Sequence, residues 1–212
     1  MFLVAPIRKF GGSAKYADIL GKLPFTIERI AKAVQCVQER GGSMNASDIL
    51  LSKVAEIEKA LEAELYNCAL ALALTLPDIC GKVEFSNIGN KKRYKDWFSS
   101  YALPYFTVEV TKLPSKEIVE YTLLSAEECW ALRCAFLHAG NYDVECVSLT
   151  NVHIHAHKRE GENYIHMTRD AQSADWDVIE LCKKLCLAAR EYYLSIEDKT
   201  RFDLNEVRID TW

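Results

Sequence analysis

A mainly α-helical bundle carrying one small β-hairpin is the fold class this 212-residue chain predicts. Three patterns predict it. Apolar residues recur at steps of three and four from Leu50 to Leu76, and again from Ile179 to Ile196. Between these stripes the period changes to two, where Val152, Ile154 and Ala156 alternate with His153, His155 and His157. With 50% apolar and 26% charged residues, and neither repeat nor low-complexity tract, the chain reads as a single domain over 1–212 with a substantial core.

Residues 1–45 read as a peripheral N-terminal region, with a helix over about 25–40 that ends at Gly41 and Gly42. A helical core carrying the main motif spans 46–140. Its first helix follows the caps Asn45 and Ser47 and aligns Leu50, Val54, Ile57, Leu61, Leu65, Cys68, Leu72 and Leu76 in one stripe. Pro77 and Gly81 are expected to end it. A shorter helix is predicted over 91–101, then a proline-containing connection. Ser125 reads as an N-cap, with Glu128 three residues later completing a capping box, and Gly140 is placed to stop that helix. The hairpin region spans 141–170: its first strand carries the histidines, 159–163 turn the chain, and 164–168 return beside it. The last helix is predicted over 174–196 within the region 171–197, on the stripe Ile179, Cys182, Cys186, Ala189, Tyr193 and Ile196, followed by a mixed-charge tail over 198–212.

Composition excludes some functions. A formal net charge of −4 argues against coating nucleic acid by bulk electrostatics. A local basic run remains: Lys91, Lys92, Arg93 and Lys95 form a candidate nucleic-acid-binding patch, with Trp97 and Phe98 either stacking bases or turned into the core. Eight scattered cysteines with no Cys-x-x-Cys are expected to be reduced and mostly buried. Neither a basic leader nor an apolar run long enough to span a bilayer is seen, so a cytoplasmic, membrane-free protein is expected. Gly-x-Gly-x-x-Gly, phosphate-loop and Gly-x-Ser-x-Gly signatures are lacking, and the sequence implies no cofactor.

The chemistry concentrates in the helix after Ser125, where Arg133 and His138 sit among apolar residues. A guanidinium neutralises phosphate charge and an imidazole moves protons near neutral pH, so the pair points to work on a phosphodiester. On an ideal helix the two lie about 140° apart, so unwinding before Gly140, or a dimer axis beside the helix, is needed to bring such groups together. Arg133 also needs a carboxylate, carbonyl or anion to offset its desolvation; Asp78 and Glu128 are the candidate partners.

Arg133-Cys-Ala-Phe-Leu-His138, an arginine and a histidine with four residues between them on a helix, resembles the signature of the HEPN superfamily. Cys134 departs from its pattern, in which asparagine, aspartate or histidine more usually follows the arginine. The resemblance implies a helical homodimer with two motifs facing each other, often a metal-independent endoribonuclease of a toxin–antitoxin or antiviral defence system, with RNA as substrate and an antitoxin or other protein as partner. In that scheme His138 handles the 2'-hydroxyl proton or the leaving 5'-oxygen, and Arg133 stabilises the phosphorane-like charge.

Two alternatives stand beside this. One is a noncatalytic HEPN-like interaction or scaffold protein, in which Arg133 serves structure, His138 caps a helix end, and the tail aromatics Phe202 and Trp212 help to assemble a complex. The other is a metal-binding protein using His153, His155 and His157, which alternate onto one strand face, with Cys146 or His166 as further ligands.

Overall fold

The computed structural model describes residues 49–112, 114–140, 149–157 and 167–202; the N-terminal region with its expected helix, the 159–163 turn, Cys146, His166 and Trp212 lie outside them. The described chain is mainly helical, as expected.

The long stripe folds as three helices: α1 (Ile49–Glu62), α2 (Tyr66–Ala73) and α3 (Leu76–Glu84). Leu50, Val54 and Ile57 are buried as the stripe requires, but Leu65 is 55% exposed. The reason is a left-handed stop. Glu64 takes φ 61°, its amide bonds the Leu61 carbonyl at 3.1 Å, and the Leu65 amide bonds the Ala60 carbonyl at 2.8 Å. This is the double hydrogen-bond closure usually made by glycine. Pro77 opens α3 where it was expected to end a helix, since the first turn has no use for its missing N–H. Gly81 lies inside α3, where an added Cβ would stand 2.8 Å from the Arg93 carbonyl oxygen; it permits close approach of the next helix.

That helix, α4 (Asn90–Trp97), runs into a π turn (Phe98–Ala102) and a 3-10 turn (Leu103–Phe106), burying Tyr94, Trp97, Phe98, Ala102 and Phe106. The predicted connection beyond it is instead an antiparallel hairpin, β1 (Thr107–Lys112) with β2 (Glu117–Thr122), in the register Thr107↔Thr122 to Lys112↔Glu117. Its β-branched residues suit paired strands.

Helix α5 (Ala126–Cys134) continues as a second π turn (Ala135–Ala139) that Gly140 ends at φ 65°. Strands β3 (Asn151–His155), β4 (Met167–Arg169) and β5 (Ser173–Asp177) form a sheet in the order β3-β5-β4. This corrects the expected hairpin. The histidine strand pairs in parallel with β5, while β4 is the antiparallel partner of β5. Consequently the last helix, α6 (Val178–Ser195), begins later than predicted, with the Asp177 carboxylate accepting from the Ile179 amide at 2.9 Å.

Buried residues from all six described α-helices join one core with Met167, Ala174 and Trp176 from the sheet. Cys80, Cys129, Cys182 and Cys186 are buried within it, and Cys68 is exposed. Phe202 is buried too, against Tyr192 and Tyr193, so it belongs to the core and is not a surface for a partner. Among the described residues no helix is long and apolar enough to cross a membrane.

Candidate functional site

The site begins with the placement of α5. Ser125 Oγ accepts from the Glu128 amide at 3.3 Å, and Glu128 Oε2 accepts from the Ser125 amide at 2.8 Å, closing the expected capping box. Glu128, almost fully buried, also accepts from Arg169 Nε and Nη2 through Oε1, at 3.0 and 2.7 Å. One carboxylate thus caps the helix and ties it to β4.

At the other end, Arg133 Nη1 lies 2.7 Å from His138 Nε2. The π turn explains this contact. Widening the backbone ring to the i→i+5 pattern brings residues five apart onto one side, whereas an α-helix would separate them. Arg133 is held from two further directions: Nε donates to Asp78 Oδ2 at 3.1 Å, and Cζ stands 5.1 Å from the centre of the Trp130 ring. Its side chain is only 15% exposed, while His138 is exposed, so the pair spans from the protein wall to solvent. Because a guanidinium has donors only, Nε2 must present a lone pair in this contact.

Burial holds the Asp78 carboxyl above the ordinary aspartate range, opposed chiefly by the Arg133 guanidinium and less by Arg93 and Asn90. Behind it Tyr94 Oη lies 3.3 Å from Cys129 Sγ and 3.3 Å from the Leu74 carbonyl, and the Tyr94 and Trp130 rings meet edge to face at 5.1 Å. Burial raises the Tyr94 phenol well above its usual range and pushes the Cys129 thiol up to about 12, so both are neutral floor groups.

The basic run on α4 lies elsewhere. Lys95 and Lys91 pair with Glu127 in the first turn of α5 at 2.6 and 3.5 Å, Lys92 pairs with Asp96 at 2.5 Å, and Arg93 is half-buried near Asp78. Trp97 and Phe98 are fully buried in the core, so neither offers a base-stacking surface. Glu127 and Arg133 are six positions apart on α5, so the lysines stand about 9 Å along that axis from the arginine end.

Of the candidate residues, Arg133 and His138 are therefore together and the lysines form a separate patch. Trp130 was missed as a contributor, although its position three before Arg133 places it on the same helical side. His153 and His155 share a face of β3 with stacked rings 5.5 Å apart; His157 stands edge-on, 6.4 Å from His155. Compared with family models, curated proteins and solved structures, the chain matches none.

Proposed function

We propose that this chain is an HEPN-like, metal-independent endoribonuclease in which Arg133 and His138 act on one scissile phosphate, and that it works as a homodimer. The observation that carries the reading is the 2.7 Å approach of Arg133 Nη1 to His138 Nε2 at a solvent-facing helix end. In this role RNA binding opens the Nη1–Nε2 contact, and the freed Nε2 lone pair takes the proton of the RNA 2'-hydroxyl as its oxygen attacks phosphorus and the 5'-oxygen leaves, taking a proton from solvent. The guanidinium, kept in orientation by Asp78 and Trp130, donates to the non-bridging oxygens as their charge grows. Lys91, Lys92 and Lys95, with Arg93 beside them, exchange their partners Glu127 and Asp96 for a flanking phosphate when RNA binds. The chain's charge of −4 keeps such binding local.

Purified protein incubated with single-stranded and structured RNA in EDTA tests the proposal. Expected products end in 2',3'-cyclic phosphates, and an all-DNA strand of the same sequence stays intact. Absence of RNA cleavage, or equal cleavage of DNA, overturns it.

The second reading is a noncatalytic scaffold. It is favoured by the Arg133–Asp78 ion pair, which would exist for architecture alone. In that case Arg133→Lys lowers stability without any RNA-dependent readout changing.

A further inference from the structure

We infer that His153, His155 and Asp175 form a binding site for one divalent first-row transition-metal ion, with Zn2+ as the best-fitting occupant. The site is independent of the proposed ribonuclease chemistry. It arises from the strand pairing that differs from the predicted hairpin. In the parallel register of β3 and β5, His153 stands beside Asp175, and His155, two residues on, projects from the same face as His153. Asp175 Oδ1 lies 3.1 Å from His153 Nδ1 and 2.7 Å from His155 Nδ1. One ligand atom from each of the three residues falls within 4.8 Å of the others.

These separations fit a metal. Tetrahedral zinc, with bonds of about 2.0–2.2 Å to nitrogen and oxygen, spaces its ligand atoms roughly 3.3 Å apart. The two nitrogen-to-oxygen distances, 3.1 and 2.7 Å, need to open by about 0.2 and about 0.6 Å. Before the ion enters, His153 Nδ1 is hydrogen-bonded to Asp175 Oδ1, and His155 Nδ1 lies close to the same oxygen. On binding, each imidazole carries its proton on Nε2 and turns the Nδ1 lone pair to the ion, so two neutral rings and one carboxylate offset half of its charge.

Ligand type and exposure define the class of site. Two imidazoles select zinc, cobalt, nickel or copper over magnesium and calcium, which take oxygen ligands. His155 is the inner wall at 19% side-chain exposure, whereas Asp175 is 47% and His153 73% exposed. Among the described residues, three protein ligands on a partly exposed sheet face leave a fourth position for water or an anion. His157 stands outside this set, its ring centre 6.4 Å from that of His155.

The full chain, stripped with EDTA and exhaustively dialysed, is titrated with Zn2+ by calorimetry and with Co2+ by visible absorption. One equivalent of Zn2+ is expected per chain, with Co2+ giving the intense visible bands of low-symmetry four-coordination. Asp175→Asn and His153→Ala should each weaken binding about tenfold or more, and the His153→Ala, His155→Ala double variant should abolish it, while His157→Ala stays within about twofold. His153 is well exposed, so its variant folds and decides the matter even where Asp175→Asn does not. No saturable equivalent, or binding unchanged in the double variant and so belonging to other groups such as the exposed Cys68 thiol, overturns the assignment. Cleavage assays run in EDTA are unaffected by either result, so failure here and failure of the ribonuclease reading are distinguishable.

Discussion

Asp78 carries the electrostatic tension of the candidate site. Its oxygen bonds Arg133 Nε, yet burial outweighs that attraction and raises its pKa. A carboxyl whose folded pKa lies above its unfolded value favours the native state most at acid pH, and that contribution fades as pH rises through the folded value. The stability of wild type relative to Asp78→Asn should therefore fall from the ordinary aspartate range upward and then level off. Urea unfolding across that interval checks this, and a gap that widens with pH contradicts it. Removing the oxygens altogether is different. Asp78→Ala leaves a half-buried guanidinium without its carboxylate and should cost about 1–3 kcal/mol.

At the scale of elements, two backbone devices shape the helices, and each predicts a stability change. Glu64 occupies a left-handed position that costs most residues about 1 kcal/mol, so Glu64→Gly should raise the unfolding midpoint. Gly81→Ala should lower stability by about 1–3 kcal/mol, because its new Cβ meets the rigid Arg93 carbonyl. Thermal unfolding of both variants tests the pair; a stabilised Gly81→Ala or a destabilised Glu64→Gly contradicts the description. These devices also mark where the sequence was legible. Apolar spacing located the helical segments, and Ser125, Glu128 and Gly140 announced the ends of the motif helix because their side-chain or backbone chemistry is local. The break at Glu64 was hidden, since a glutamate occupies the left-handed position that glycine usually holds. Pro77 fits the end of one helix and the start of the next equally well. The β1–β2 hairpin was masked by Pro104 before it and Pro114 in its turn, despite its runs of valine, isoleucine and threonine.

Across the whole molecule, α5 is fixed by contacts distant in sequence. Arg169 on β4 satisfies buried Glu128, and Trp176 Nε1 on β5 donates to the Leu123 carbonyl at 3.0 Å just before the helix cap. Arg169→Ala strands a buried carboxylate and should cost about 3 kcal/mol, read by urea unfolding at neutral pH; a loss below about 0.5 kcal/mol contradicts that coupling. Such long-range pairing is also why part of each site escaped the sequence. Asp175 reaches the histidines only through a parallel register 22 residues away, and residues 174–177 read as a helix start until β3 claims them. Likewise the Arg133 and His138 spacing was visible, but the π turn that unites them has no local signature, and it was foreseen only as a need for unwinding.

The central claim is that Arg133 and His138 act as one unit on RNA. A double-variant cycle of kcat/KM for RNA cleavage in EDTA, using Arg133→Ala, His138→Ala and both together, tests it most directly. Each single variant should lose about 100-fold or more, and the double variant should be little slower than the slower single one. Losses that multiply across the cycle, or cleavage undiminished in either single variant, would contradict joint action at one phosphate.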